Sequence, residues 1–195
     1  MPDEPADLEE SISRIEDAFG GQLGRPDYEE GLDPNEHDTD VIQLRKGCRL
    51  LDACRLLRDH DGYHTSVIEM SFAAIECTLE CYALTASSDT IDDFREGHDR
   101  AYDRGAELGL VTEETARRLK QLYRDNRAAA YYRDTVAAGQ QAEAMFDLAV
   151  AIHDYVKNFA RRSHECRCRR RLANAYRPSV TSDQPFHAST RFSRR

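Results

Sequence analysis

Apolar residues recur at helical spacing in five successive runs between residues 41 and 159. Within each run they fall three or four positions apart, which places them on one side of an α-helix. No segment alternates apolar and polar residues in the manner of a strand. All six prolines lie outside residues 35–177, so none interrupts these runs. The pattern predicts an all-α, up-and-down bundle of four to five helices.

The second run, from Tyr63 to about Ala86, is apolar nearly all round. A helix of this composition has no continuous polar face that could lie against solvent, so we expect it at the centre of the bundle. Its exceptions are three glutamates that share one face of the helix: Glu69, Glu76 and Glu80.

The remaining core helices have recognisable ends. We expect the first at about 41–59, and the third to begin after the capping residues SSDT and to end near Gly105–Gly109. Thr112 is the predicted cap of the fourth, and the fifth runs over about 141–159. In the third helix, the spacing places these side chains inward: Ile91, Phe94, His98, Ala101 and Tyr102.

Charge divides the chain into three parts. Residues 1–38 form an acidic arm, which we expect to lack fixed structure apart from a short amphipathic helix ending at Phe19. Residues 39–160 form the helical bundle. Residues 161–195 hold ten basic and two acidic residues and no apolar periodicity. Such a tail either binds RNA electrostatically or is an unstructured extension, and of the two we favour the extension.

Composition limits the class of protein. The net charge is −9, and arginine outnumbers lysine by 24 to three, which suits a halophilic protein that stays soluble in a salty cytoplasm. The alternative is an ordinary acidic mesophilic protein, because net charge concerns solubility and not the fold. There is no secretory signal and no apolar stretch of about 20 residues, so we expect a cytoplasmic protein with no membrane contact. Six cysteines in such a chain are expected to be reduced thiols.

A row of cations lies along the predicted fourth helix. These residues share one face, which ends in a phenol: Arg117, Lys120, Arg124, Arg127 and Tyr131. Guanidinium groups suit bidentate contact with phosphate, and a tyrosine ring stacks on a base. The row together with Asn126 is therefore a candidate RNA- or phosphate-binding face. The architectural alternative is that the glutamate row of the second helix neutralises the arginines, within the bundle or across a dimer.

Other reactive side chains give weaker signals. Three clusters have some resemblance to metal sites, but their spacing does not supply a full ligand set, and we expect no metal at any of them: His60 with His64, Cys77 with Cys81, and His164 with Cys166 and Cys168. His98 and His153 lie on apolar faces and are expected to be hydrogen-bonded core residues. The sequence shows no phosphate-binding glycine loop, nucleophile motif or paired carboxylates at a fixed spacing, and we predict no cofactor.

Residues 41–160 resemble the HEPN superfamily of small all-α domains. The likeness lies in the helix order, in the apolar second helix with its glutamates, and in the late arginine motif around Arg124 to Arg127, which precedes a last amphipathic helix. Members of the family act in toxin–antitoxin, anti-phage and RNA-processing systems. Those that cut RNA carry an arginine, a neighbouring polar residue and a histidine five to seven positions after the arginine, and they pair two motifs in one dimer.

The histidine of that motif is absent here, and Tyr131 or Tyr132 occupies its place. Tyrosine, with a pKa near 10, is a poor base at neutral pH. The resemblance therefore implies a homodimeric module that binds RNA or a nucleotide with weak or no ribonuclease activity. It also implies a nucleotidyltransferase-type partner protein. The alternatives are an active metal-independent endoribonuclease using Tyr131 or another base, and a helical dimerisation protein. The candidate catalytic residues are Arg124, Arg127, Tyr131 and Tyr132.

Overall fold

The computed structural model describes residues 6–20, 32, 38–60, 62–95, 97–132 and 136–159. These residues form six α-helices and one short 3-10 helix, and no strand is found among them. Four to five helices were expected, and the count of six α-helices, which includes the short one in the acidic arm, is slightly higher. The helices are α1 (Ala6–Phe19), α2 (Thr39–Asp59), α3 (His64–Ala86), α4 (Asp99–Glu107), α5 (Glu113–Tyr132) and α6 (Gly139–Phe159), with the 3-10 helix (Ile91–Phe94) before α4.

Helix α3 is the centre of the bundle, as its composition predicted. It packs against α2, α6, α4 and the 3-10 helix, while α5 packs against α4. Ile75 and Leu79 of α3 are completely buried, and Phe72 is 2% exposed. Since burying one such side chain contributes about 1.5–3 kcal/mol, these positions are the main apolar contribution of α3 to the core.

Helices α2 and α3 run antiparallel and approach closely at Gly47. A methyl group added there would lie 3.0 Å from the Thr78 hydroxyl oxygen and 3.3 Å from the carbonyl oxygen of Ala74. Only a hydrogen atom fits at this crossing. The glycine therefore sets how close the two helices lie.

His153 of α6 fills the space beside this crossing. It is 2% exposed, and its Nδ1 lies 3.1 Å from Thr78 Oγ1. The Thr78 hydroxyl already donates to the carbonyl of Ala74 at 2.7 Å, so it accepts from His153 Nδ1–H. Nε2 is then free to accept the Cys48 S–H, 3.2 Å away. The prediction of a hydrogen-bonded core histidine is confirmed at this position.

The predicted third helix is divided in two. Thr90 and Asp93 form a capping box at the 3-10 helix, and Phe94 is buried, but the chain then turns at Gly97, whose φ is +145°. Helix α4 begins only at Asp99. The inward position predicted for His98 is wrong, because this turn leaves its side chain 59% exposed. Ala101 and Tyr102 are buried, as predicted.

The short helix of the acidic arm is present as α1. Three apolar side chains that define its amphipathic face are exposed to solvent: Ile12, Ile15 and Phe19. The basic tail, 161–195, lies outside the described residues. None of the described helices is long and apolar enough to cross a membrane.

Candidate functional site

The predicted basic row lies on α5, on the side of that helix that runs beside α4. Thr112 accepts a hydrogen bond from the backbone N–H of Thr115 at 3.1 Å, which confirms the predicted cap of the helix. Helices α4 and α5 are antiparallel here, because Lys120 meets Asp103 and Arg124 meets Asp99. The carboxylates that face the row therefore come from α4.

Arg117 forms an ion pair with Glu114 of its own helix, at 2.7 Å. The partners of Arg117 and Arg124 thus differ from the glutamate row of α3, which the architectural alternative had assigned to them. The arginines do not reach the glutamates of α3 because α4 lies between much of α5 and the centre of the bundle. Both arginines remain accessible, with 67% and 61% of their side chains exposed, respectively.

The members of the row are not equally available to a ligand. Lys120 is only 21% exposed and is engaged by Asp103. The ion pair between Arg124 and Asp99 joins two side chains that are 61% and 40% exposed, and pairs of that kind contribute about 0–1 kcal/mol. An incoming phosphate can replace Asp99 at little cost. Arg124 is therefore a better ligand-binding candidate than Lys120.

Asn126 connects α5 to α3. Its side-chain amide donates to Glu69 Oε1 at 2.6 Å. This bond uses one of the two N–H groups of the amide. The phosphate contact expected at Asn126 stays a prediction.

Tyr123 lies at the centre of the surface that the arginines of α5 form together with His98. Its ring meets the ring of Phe72 edge-on, with centroids 5.3 Å apart and planes at 83°. The His98 ring lies 5.0 Å away at a tilt of 39°, and the guanidinium carbon of Arg127 is 5.8 Å from the Tyr123 centroid. A cation over a tyrosine face gains about 0.5–1 kcal/mol at an exposed site. The Tyr123 ring therefore packs against both Arg127 and His98.

His98 is anchored from below by Glu76. Its Nδ1 lies 2.8 Å from Glu76 Oε2, and the hydroxyl of the buried Tyr102 donates to Glu76 Oε1 at 3.0 Å. Glu76 is 9% exposed. Burial raises the pKa of its carboxyl above the usual value, and the hydrogen bond from His98 lowers that pKa by a smaller amount. Burial also raises the pKa of the Tyr102 hydroxyl, so that it remains a donor. We call Glu76 and His98 the Glu–His pair.

This pair was not predicted from the sequence. Glu76 and His98 are 22 residues apart on different elements, so no local spacing connects them. The one available signal was Glu76 itself, a carboxylate in the middle of an otherwise apolar helix. Such a residue needs a donor from a neighbouring element.

Glu80 lies one helical turn beyond Glu76. Burial, with a smaller contribution from the nearby charge of Glu76, raises the pKa of Glu80 to about 7. Lys46 from α2 and His98 act in the opposite direction. Glu76 and Glu80, which the sequence placed on one face of the helix, thus influence each other electrostatically.

Replacement of Glu80 by glutamine should make the protein more stable at alkaline pH. The pKa of Glu80 in the folded protein lies above the ordinary value of 4.5. The stability associated with the protonated carboxyl is therefore fully present below pH 4.5 and is lost as pH rises through about 7. Allowing for solvent screening, we expect Glu80→Gln to gain roughly 1–2 kcal/mol at about pH 8 and almost nothing near pH 5. Urea unfolding at both pH values measures the difference. The same substitution at the exposed Glu113 is the control, and an equal gain at both pH values would contradict the assignment.

The two tyrosines predicted at the end of the row cannot be placed. The backbone of α5 continues to Tyr132, but the side chains of Tyr131 and Tyr132 lie outside the described residues. The described part of the surface thus contains three exposed arginines, Arg117, Arg124 and Arg127, together with the Tyr123 ring and the His98 imidazole. This combination can bind an anionic group and exchange a proton beside it.

Metal ligation was considered for the described side chains. Among them, no group of three or more histidine, cysteine, aspartate and glutamate residues is arranged to hold a metal ion. Burial raises the pKa of the Cys77 and Cys81 thiols to about 12, which keeps both protonated at neutral pH. His164, Cys166 and Cys168 lie outside the described residues.

Comparison with known proteins gives one match. Neither the curated proteins nor the solved structures contain a match to this chain. A family model, the domain of unknown function DUF8154, matches residues 3–168. That range covers the acidic arm, all six helices and the surface described above, and the chain therefore belongs to the DUF8154 family.

Proposed function

We propose that this protein is a HEPN-like module that binds single-stranded RNA, or a nucleotide, through Arg124 and Arg127. The observation that carries the proposal is that two exposed arginines lie within one turn of α5, with the guanidinium carbon of Arg127 5.8 Å from the centre of the Tyr123 ring. Guanidinium groups bind phosphate oxygens in pairs, and an aromatic ring beside them offers a base a place to stack. We place the protein in a defence, toxin–antitoxin or stress system on the strength of the family resemblance.

The negative net charge of the chain favours RNA binding at a small local site rather than on a broad basic surface. The whole chain carries a net charge of −9, so long-range attraction to nucleic acid is unfavourable. Binding then depends on close contacts that displace weak surface ion pairs, such as that of Arg124 with Asp99. A homodimer belongs to the same proposal on the strength of the family resemblance, since the RNA-cutting members of that family pair two motifs in one dimer.

A second candidate is a helical interaction protein that does not bind nucleic acid. The observation in its favour is that three cations of the row already have carboxylate partners: Arg117 with Glu114, Lys120 with Asp103 and Arg124 with Asp99. In that case the row fixes the register of α4 against α5. The two candidates differ in whether the face binds anything from solution.

Binding of a short fluorescein-labelled single-stranded RNA to the full chain, followed by anisotropy at several salt concentrations, separates them. We expect saturable binding that weakens with salt, with a slope of log affinity against log salt of roughly −0.7 for each phosphate contact. Two arginine contacts predict a slope of about −1.4. No binding at the lowest salt concentration in which the protein stays folded would support the interaction protein instead.

A further inference from the structure

The side of α2 that points away from the bundle carries both apolar and cationic side chains. Ile42, Arg49 and Leu56 are spaced seven residues apart, so they lie along one line on the helix. Arg45 and Lys46 lie on the two sides of that line. Leu56 is 58% exposed, and Lys46 and Arg49 are also exposed. The main contacts of α2, with α3 and α6, are made by its opposite side. We call these five residues the outer face of α2.

Helix α1 has the complementary composition. Its 14 residues include five acidic residues and one basic residue, whereas α2 holds five basic residues and three acidic ones. The apolar stripe of α1, formed by Ile12, Ile15 and Phe19, is exposed to solvent, with Phe19 at 93%. A helix of this length is marginal in water by itself, and Glu16 and Asp17 in its last turn oppose the helix dipole. A surface that is both apolar and cationic would therefore stabilise α1.

The dimensions of the chain allow α1 to reach such a surface on another molecule. Helix α1 is about 21 Å long, and the outer face of α2 has about the same length from Ile42 to Leu56. The 19 residues between Phe19 and Thr39 can span at most about 65 Å, which is enough to reach a neighbouring bundle. Within one chain both Phe19 and Leu56 remain exposed, so the contact that covers them comes from a second copy.

We infer that α1 of each copy docks on the outer face of α2 of a second copy, so that two chains form a dimer by exchanging their acidic arms. The exchange makes the same contact twice about a two-fold axis, as a closed dimer requires. The apolar stripe of α1 covers Ile42 and Leu56, and the carboxylates of α1 lie beside the cations of the outer face. The inference gives the homodimer of the proposed function a surface, and it does not depend on RNA binding.

Sedimentation equilibrium of the full chain tests the contact. We expect the wild type to be a dimer at micromolar concentration. Ile15→Asp combined with Phe19→Asp should weaken dimerisation by at least about 100-fold, because each apolar side chain lost from the contact costs roughly tenfold or more. Both residues are exposed, so the helical circular dichroism should be unchanged. The control is Arg14→Glu, which makes the same change in charge on the side of α1 away from Ile12, and its dissociation constant should stay within about threefold of the wild type.

An exchange of charge between two variants identifies the second copy as the partner. One variant carries Arg45→Glu and Arg49→Glu on the outer face of α2. The other carries Ser13→Lys and Glu16→Lys, both on exposed positions beside the apolar stripe of α1. Each variant alone brings like charges together and should be monomeric. An equimolar mixture should form a heterodimer, because in both of its contacts opposite charges meet.

The outcomes separate this inference from the proposed function. A mixture of the two charge variants that stays monomeric would overturn the inference. A dimer that survives Ile15→Asp with Phe19→Asp would also overturn it, and would leave the homodimer of the proposed function in place on another surface. A monomeric wild type would overturn the inference and that homodimer together. The anisotropy measurement tests the RNA binding independently of all three results.

Discussion

Replacing His153 with alanine is expected to lower the free energy of unfolding by about 3 kcal/mol. The side chain is 2% exposed and connects Thr78 of α3 to Cys48 of α2. Its loss leaves a cavity between three helices and removes the acceptor of the Cys48 S–H. Large-to-small substitutions in a core cost about 2–5 kcal/mol, and the lost hydrogen bonds add to the cavity.

Urea unfolding followed by circular dichroism measures this change. His60→Ala is the matched control, because His60 is exposed at the end of α2 and its loss creates no cavity. The control should stay within about 0.5 kcal/mol of the wild type. A loss below about 1 kcal/mol for His153→Ala would mean that the contact between α2, α3 and α6 is looser than described.

The joint replacement Arg124→Ala and Arg127→Ala is expected to weaken RNA binding by at least about 100-fold without unfolding the protein. Hydrogen bonds to charged groups contribute about 1.5–3 kcal/mol each, so two lost phosphate contacts account for this factor. The fold should survive because the carboxylate released from Arg124, that of Asp99, is 40% exposed and is hydrated once it loses its partner.

The control for this pair is Arg95→Ala with Arg118→Ala. It removes the same charge from two exposed arginines; Arg95 is on the loop before α4, and Arg118 lies on α5 about 180° around the helix from Arg127. RNA affinity should fall by less than about threefold in the control, since only long-range attraction changes. If the Arg124 and Arg127 variant instead melts early and keeps its affinity, the arginines serve the architecture of the bundle.

The central helix and the core were predictable because they depend on the pattern of apolar residues within single segments of the chain. Residues 64–86 carry apolar side chains on every face, and only a central position buries them all. The same argument correctly placed Phe94, Ala101 and Tyr102. It failed at His98, since the apolar spacing continues through a turn at Gly97 that only backbone conformation reveals.

The site was predictable only in part. The spacing along α5 correctly grouped Arg117, Lys120 and Arg124 on one face, because that grouping depends on helix geometry alone. Their partners on α4 depend on how two helices are aligned in the fold, and no sequence spacing contains that information. The same is true of the contact of Glu76 with His98, which joins α3 to the turn before α4.

The most direct test of the central claim is the salt dependence of RNA affinity for the two double variants, measured side by side. If Arg124 and Arg127 contact phosphate, their replacement should reduce the slope of log affinity against log salt by about 1.4, and the Arg95 and Arg118 control should keep the wild-type slope. Equal slopes for the wild type and both variants would contradict the claim that this surface binds RNA.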